Sequence, residues 1–241
     1  MNRLRAALLA AALAAAPALV SAAECPAPRE PQLGELPKPL NIDKVKGVLR
    51  DYHDKQYDAD LAAVAGDART YVEKRAHDVK NPALTLDIDE TSLSNWPNLD
   101  ADDFGFIENG PCRLPTHKGF ACGFDAWVRT GTATAIKPTL ELFNAAKSAG
   151  VTVFFITSRK ERDRWITTQN LRRVGYYGWK GLALRTADDK RSVSDFKSSE
   201  RAKIEANGYT IIANMGDQSS DLAGGHTECG FKLPNPFYFI P

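Results

Sequence analysis

Residues 83–92 read Ala-Leu-Thr-Leu-Asp-Ile-Asp-Glu-Thr-Ser, a run in which apolar side chains give way to three carboxylates. A short apolar run that ends in acids is typical of a buried parallel strand with a polar carboxyl end. Three further runs of this kind predict strands, at 151–156, 182–184 and 210–214. The sheet is therefore expected to carry its polar groups along one edge.

Segments with helical spacing separate these strands. Helices are expected at 138–149 and at about 161–174, and a third that Ser198 or Ser199 caps and Gly208 ends. Two more, divided near 54–57, are expected before the first strand. The alternation predicts an α/β fold: a Rossmann-like parallel sheet with helices on both faces and an N-terminal helical segment.

One interval is too long for a simple strand–helix–strand unit. Asp87 and Thr157 are 70 positions apart, whereas such a unit needs roughly 30 residues. We assign the excess, 92–137, to a small cap insertion, with 23–91 and 138–241 forming the core. Five aromatic residues in the insertion either stack on a substrate or form the core of the cap, the interpretation that we favour: Trp96, Phe104, Phe106, Phe120 and Trp127.

The first 22 residues have the organisation of a secretory signal peptide: a basic start, an Ala/Leu run over 6–20 and then small residues. The alternative, a membrane anchor, needs roughly 20 apolar residues, and Pro17 interrupts this shorter run. We therefore expect an exported protein, periplasmic or secreted, with no membrane partner after signal cleavage. The absence of an Asn-X-Ser/Thr site favours a bacterial periplasm.

The four cysteines form an even set, which in an oxidising compartment favours two disulfides over a metal site. Three pairings are possible. The short segment between Cys112 and Cys122 favours pairing these two, which leaves Cys25 with Cys229.

The charges nearly cancel, with 31 Lys and Arg against 30 Asp and Glu. A nucleic acid polymer is therefore not an expected partner, because its binding needs a basic excess. Any anion that the protein binds must be held by a local site. Composition leaves the oligomeric state open.

Polar residues follow three of the predicted strands, and the carboxyl ends of parallel strands meet at one edge of a sheet. They are Asp87 and Asp89, then Thr157 and Ser158, then Asp217 and Asp221. Converging carboxylates require a cation, and oxygen donors alone favour Mg²⁺. With Lys197 and a hydroxyl, such an ion forms a seat for a phosphoryl group, where one carboxylate attacks phosphorus and another moves the proton.

The four motifs 86–95, 196–201, 216–218 and 231–236 resemble those of the haloacid dehalogenase-like superfamily. The similarity covers roughly residues 50–241. It points to the secreted acid phosphatase branch, which includes plant acid phosphatases, vegetative storage proteins and bacterial class B and C acid phosphatases.

The resemblance implies a Mg²⁺-dependent hydrolase of small phosphate monoesters. Asp87 is then the nucleophile, and Asp89 protonates the leaving group and deprotonates the hydrolytic water. Thr157 binds a phosphoryl oxygen, and we place Ser158, where relatives commonly carry Gly, beside it. An acid form of Asp89 is needed first, so activity is expected to fall as pH rises above the ordinary aspartate pKa of about 3.9.

The same resemblance implies the cation-binding residues. Lys197 offsets the charge of nucleophile and phosphate, although Arg201 one turn along is a competing candidate. Asp87, Asp217 and the main-chain carbonyl of Asp89 hold Mg²⁺, and Asp221 completes or orients this shell.

Other functions fit these residues less well. A calcium loop starting at Asp87 would need Gly and Glu where Ser92 and Asn98 stand. A dehalogenase would leave Asp89 without a role. A nucleotide-specific phosphatase, a phosphotransferase of the same chemistry, and a storage or binding protein remain as alternatives.

Overall fold

The structure is a computed structural model that describes residues 24–110 and 121–240. The predicted signal peptide lies outside the described residues, as do Cys112 and Phe120. In the described part of the chain, no helix is long and apolar enough to cross a membrane.

The N-terminal helical segment is one continuous helix, not the two that were predicted. Helix α1 (Ile42–Tyr52) passes through a π-helical turn (His53–Tyr57) directly into α2 (Asp58–Arg75). The predicted division is wrong because 54–57 contain no proline or glycine, and the backbone stays right-handed helical on both sides of the turn. The π turn inserts an extra residue, which shifts the phase of the apolar positions.

Strands and further helices follow in alternation. The strands are β1 (Pro82–Leu86), β2 (Leu93–Ser94), β3 (Thr134–Ala135), β4 (Thr152–Lys160), β5 (Gly181–Arg185), β6 (Thr210–Gly216) and β7 (Cys229–Lys232). The helices are α3 (Trp96–Ala101), α4 (Phe124–Thr130), α5 (Lys137–Ser148), α6 (Arg164–Arg173, after a 3₁₀ turn), α7 (Val193–Ala206) and α8 (Ser219–Leu222).

Five of the described strands form one parallel sheet in the order β5-β4-β1-β6-β7. This confirms the predicted α/β fold. The edge strand β7 was not predicted, because it is only four residues long and contains Gly230. It pairs with β6 and forms the edge of the sheet nearest the C-terminal residues.

Helices cover both faces of this sheet, as the alternating side chains of β1 show. Leu84 and Leu86 belong to the larger core, which also contains residues of α2 and α5. Ala83 points the other way, into a smaller core with Phe196 and Ile204 of α7. Each large apolar side chain buried in this way contributes about 1.5–3 kcal/mol. The central strand is thus held rigidly from both sides.

The cap of α7 differs from the prediction. The side chain of Ser192, rather than that of Ser198 or Ser199, accepts a hydrogen bond from the backbone N–H of Asp195 at 3.0 Å. The hydroxyls of Ser198 and Ser199 instead donate to backbone carbonyls. Lys197 therefore lies inside a regular helix, not ahead of one.

The segment between β1 and α5 leaves the sheet and returns through two short strands. β2 and β3 pair antiparallel, with Leu93 opposite Ala135 and Ser94 opposite Thr134, and α3 and α4 lie between them. These two strands connect the segment assigned to the cap with the rest of the chain. The boundaries of the cap at 92 and 137 stay a prediction.

One predicted disulfide lies within the described residues. Cys25 is bonded to Cys229, with 5.6 Å between their Cα atoms and 204 positions between them in the chain. The bond ties the N-terminal arm to β7. Cys122 is also disulfide-bonded, and its predicted partner lies outside the described residues.

Candidate active site

Three buried carboxylates meet where β1 and β6 end. Asp87 follows β1, and its backbone N–H donates to the carbonyl of Met215 at 2.9 Å, which extends the strand pairing to this residue. Asp217 follows β6, and Asp221 lies in α8. One oxygen from each of these three carboxylates lies within 4.8 Å of the other two.

Gly216 allows this close approach. A Cβ atom at position 216 would lie 2.3 Å from the Cβ of Asp221. Since real Cβ atoms do not approach side chains this closely, any other residue would displace α8 or Asp221. Asp221 is held further by its own capping box, in which the Gln218 N–H donates to Oδ2 at 2.9 Å.

Lys197 joins two of the three acids. Its Nζ donates to Asp87 Oδ1 and to Asp221 Oδ1, each at 2.5 Å. Burial alone would lower the pKa of Lys197, but the two carboxylates raise it above its usual value. The ammonium group therefore stays charged inside the protein, with only 4% of the residue exposed.

One ammonium group does not balance three acids. Burial raises the pKa of Asp87 well above its usual value, and repulsion from Asp221 and Asp217 adds to this against the attraction of Lys197. Burial and repulsion from Asp221 likewise raise the pKa of Asp217 to about 6. When all three acids are ionised, the cluster carries more negative charge than Lys197 offsets, and the raised pKa values of Asp87 and Asp217 reflect this.

Asp217 is oriented by side chains from three segments. Its Oδ2 accepts hydrogen bonds from Gln218 at 2.7 Å and Asn235 at 2.5 Å, and its Oδ1 accepts one from Thr91 at 3.3 Å. Gln218 and Asn235 lie in motifs that the sequence singled out without giving these two residues a role. Asn235 lies just after β7, so the C-terminal motif 231–236 contributes a side chain to the same site as the motifs of Asp87 and Asp217.

Asp89, two positions beyond Asp87, has different neighbours. Arg159 donates to Asp89 Oδ1 from Nη2 at 2.7 Å and from Nε at 3.0 Å, and Asn95 Nδ2 donates to the same oxygen at 2.8 Å. Burial alone would raise the pKa of Asp89, but the ion pair with Arg159 and these hydrogen bonds lower it. The side chain of Asp89 therefore faces Arg159, which leaves its main-chain carbonyl for the predicted role at the cation.

Arg159 is a site residue that the sequence reasoning missed. Its position at the end of β4, directly after Thr157 and Ser158, was the available signal. Arg201, the predicted competitor of Lys197, is instead structural, because its guanidinium donates to the main-chain carbonyls of Gly225, Asp221 and Ala223.

Two hydroxyls line the end of β4. Thr157 Oγ1 accepts from the backbone N–H of Arg159 at 3.1 Å and lies 3.4 Å from Asp89 Oδ2. Ser158 Oγ is buried and has no hydrogen-bond partner among the described residues. An unpartnered buried hydroxyl is costly unless a ligand or water satisfies it, and the phosphate-binding role of Ser158 stays a prediction.

The cluster fits a hard divalent cation. Asp87, Asp217 and Asp221 offer oxygen atoms only, and their charge when ionised exceeds that of Lys197, so the group suits a hard divalent cation rather than a softer metal. Three of the four predicted metal ligands thus lie together. The side chain of Asp89 is not in this group, and the role of its main-chain carbonyl stays a prediction.

Comparison with known proteins agrees with this geometry. Residues 41–241 match the model of the HAD superfamily, subfamily IIIB (acid phosphatase). The chain belongs to this family.

Three relatives illustrate this membership of the HAD family. Acid phosphatase 1 of Solanum lycopersicum is 37% identical over 64% of this chain and 58% of its own length. The stem 28 kDa glycoprotein of Glycine max is 33% identical over 78% of this chain and 71% of its own length. Vegetative storage protein 1 of Arabidopsis thaliana is 30% identical over 84% and 74%, respectively.

A solved structure supports the fold of this HAD family member. The class C acid phosphatase from Bacillus anthracis with tungstate bound has a TM-score of 0.61 and 21% identity. The alignment covers 77% of this chain and 80% of that one. At this identity the likeness concerns the fold alone.

The aromatic residues of the insertion are mostly packed inside this HAD protein. Trp127 is buried in the larger core, and Trp96 and Phe104 pack against it. Trp96 also stacks on His53 of the π turn, with 3.5 Å between ring centroids. Phe106 is 79% exposed and is free to contact other molecules.

Proposed function

We propose that this chain is an exported, Mg²⁺-dependent acid phosphatase that hydrolyses small phosphate monoesters through an aspartyl phosphate on Asp87. The observation that carries the proposal is the convergence of Asp87, Asp217 and Asp221, two of which bind Lys197, with Asp89 close by but in a separate hydrogen-bond network. The divalent cation, when bound, would offset the charge of the phosphate and of the acids that hold it.

In the first step, an Asp87 carboxylate oxygen forms a bond to phosphorus as the bond from phosphorus to the ester oxygen breaks. The departing alkoxide takes a proton from Asp89. Lys197 stays beside the carboxylate of Asp87 and reduces its repulsion of the phosphate. Thr157 and Ser158 donate hydrogen bonds to the phosphoryl oxygens.

In the second step, Asp89, now a carboxylate, removes a proton from water. The hydroxide attacks phosphorus, the bond between phosphorus and Asp87 breaks, and inorganic phosphate leaves. Asp89 ends the cycle protonated, and Asp87 ends it as a free carboxylate. The same group thus serves as acid and then as base.

Arg159 affects the source of the first proton. Its ion pair lowers the pKa of Asp89 when no substrate is bound, so the proton has to enter with the substrate. A phosphate monoester loses its second proton at about pH 6. Below that pH the substrate itself brings a proton into the site, which accounts for an acidic optimum.

Export is supported by the Cys25–Cys229 bond, since disulfides persist in oxidising compartments. The residues read as a signal peptide agree with this. A bacterial periplasm is the compartment that we propose.

A storage function is the alternative that the names of several relatives raise. The presence of Asp87 together with Lys197 at 2.5 Å argues against it, because a protein without catalysis does not need a buried, crowded nucleophile. A phosphotransferase or a nucleotide-specific phosphatase would use the same residues and would differ in acceptor or substrate.

The test is the Asp87→Asn variant. Removal of the nucleophile is expected to lower kcat for 4-nitrophenyl phosphate by at least about a thousandfold. Circular dichroism checks that the variant is folded, and wild type with and without EDTA tests the cation. Retained activity in Asp87→Asn would refute the mechanism, and activity unaffected by exhaustive EDTA treatment would refute the cation requirement. Added nucleotides and alcohol acceptors separate the two related enzymatic alternatives.

A further inference from the structure

Asn95 connects the proposed proton donor to the inserted segment. It follows β2 directly, is only 3% exposed, and its Nδ2 donates to Asp89 Oδ1 at 2.8 Å. On the other side of the amide, the indole Nε1 of Trp127 donates to Asn95 Oδ1 at 2.8 Å. Trp127 lies in α4, more than thirty positions further along the chain than Asn95.

We propose that Asn95 is a positioning residue for Asp89, and that Trp127 sets the orientation of the Asn95 amide. This inference rests on the proposed function, in which Asp89 protonates the leaving group. It concerns how the Asp89 carboxylate is oriented toward the leaving group, not whether Asp89 is the proton donor.

The argument begins with the polarity of the amide. An indole N–H is only a donor, so it must face the carbonyl oxygen of the Asn95 side chain. The NH₂ group then faces Asp89, where the carboxylate is an acceptor when ionised. Without Trp127 the amide has two orientations available, and one of them places an oxygen against the carboxylate of Asp89.

The backbone of Asn95 is held as firmly as its side chain. Its N–H donates to Glu90 Oε1, and the other oxygen of Glu90 accepts from the Tyr57 hydroxyl at 2.9 Å. Tyr57 belongs to the π turn. Asn95 is therefore held by the N-terminal helix, through Glu90, and by Trp127 of α4. In this position its side-chain NH₂ group donates to Asp89.

The positioning contact differs in kind from the Arg159 contact on the same carboxylate. A guanidinium group is also attracted to phosphate, so an incoming substrate competes with Asp89 for Arg159. The neutral amide of Asn95 has less attraction for the substrate and keeps the carboxylate aimed while the ion pair weakens. Because Trp127 belongs to α4, displacement of that helix would break its hydrogen bond to Asn95 and free the Asp89 carboxylate to change orientation.

Leaving groups of different basicity test the proposal. A 4-nitrophenoxide departs without a proton, whereas the benzyl alkoxide needs one, so misaiming of the acid should slow benzyl phosphate selectively. For Asn95→Ala, kcat/KM for benzyl phosphate is expected to fall about 10- to 100-fold, and for 4-nitrophenyl phosphate less than about threefold. Trp127→Phe keeps a ring but loses the N–H, and it should show the same selectivity at about 3- to 10-fold.

Matched controls use residues of the same types. Asn98→Ala removes a buried amide that donates to Asp102 instead, and Trp179→Phe alters an indole ring packed on Phe155. Both should leave the ratio of the two kcat/KM values unchanged. Thermal melts identify any variant that does not fold, and Trp127→Phe remains the test if Asn95→Ala fails to fold.

Asp89→Asn separates failure of this inference from failure of the proposed function. If Asp89→Asn lowers kcat/KM, which reports the first step alone, equally for both substrates, the proton-donor role is wrong and the inference falls with it. If Asp89→Asn slows benzyl phosphate selectively but Asn95→Ala and Trp127→Phe slow both substrates equally, only the positioning role is overturned. Selective loss in all three supports it.

Discussion

The two aspartates of the Asp-Ile-Asp motif lie two positions apart and have opposite environments. Asp87 shares one ammonium group with Asp221 and lies beside Asp217, and burial and repulsion raise its pKa. Asp89 has a guanidinium group and an amide, which lower its pKa. Because β1 ends at Leu86 and the chain bends at Ile88, the two side chains point to different partners, and one motif serves two separate networks. The comparison shows that residue type alone does not assign a role.

The largest expected difference between the two networks is in the free energy of unfolding after one acid is replaced. Asp89→Ala leaves the guanidinium of Arg159 buried without its carboxylate, and we expect a loss of about 3 kcal/mol in the free energy of unfolding. Asp217→Asn removes a charge from the crowded cluster, so the metal-free protein should keep or gain stability. Urea unfolding in EDTA measures both.

Equal losses in the free energy of unfolding of Asp89→Ala and Asp217→Asn would show that the two networks do not differ in this way. Asp54→Ala, which removes an exposed carboxylate outside both networks, serves as the control and should change stability by no more than about 0.5 kcal/mol.

The dependence of stability on pH sharpens the same comparison. The folded-state pKa values of Asp217 and Glu90 are raised to about 6 and about 7, so the native state binds protons that the unfolded state has released. The stability of the metal-free protein should therefore fall as pH rises from about 4 to about 7, by roughly 3–6 kcal/mol. Mg²⁺ competes with the proton on Asp217 but not with the one on Glu90, so its stabilising effect should grow as Asp217 ionises.

Thermal melts at pH 5 and pH 7, with EDTA or with Mg²⁺, measure this effect. A shift in Tm on adding Mg²⁺ that is larger at pH 5 than at pH 7 would show that the acids are not the binding groups.

The smallest expected effect concerns Ser158, which lies between Thr157 and Arg159 in β4. Ser158→Gly removes the unpartnered hydroxyl, and loss of one hydrogen bond to phosphate should raise KM about two- to fivefold with little change in kcat. Inhibition by inorganic phosphate should weaken in parallel. Unchanged KM and phosphate inhibition would exclude Ser158 from the phosphate site, and Ser148→Gly on the exposed end of α5 is the control.

Much of the first network was predictable, because its residues directly follow apolar strands. The parallel sheet, the strand before Asp87 and the one before Asp217 follow from local patterns, and strand ends must meet at one edge. Lys197 was identified through its motif, although its helix begins six or seven residues earlier than the predicted cap, Ser198 or Ser199, implied. The reason is that several serines offered caps, and only tertiary contacts select Ser192.

The second network was less accessible. The pairing of Arg159 with Asp89 and of Trp127 with Asn95 joins residues that no short motif contains. Such contacts depend on rotamers and on how the inserted segment folds back over the sheet. The family resemblance gave Asp89 a function without its partners, and the structure supplies them.

The π turn has a consequence for insertions and deletions. An α-helix advances about 100° per residue, so deletion of one residue from 53–57 could restore regular hydrogen bonding yet would rotate α1 against α2. Either Tyr57 would then leave Glu90, or Lys46 and Arg50 of α1 would leave Asp103 and Asp100. This stretch should therefore tolerate exchange of its exposed side chains far better than any change in its length.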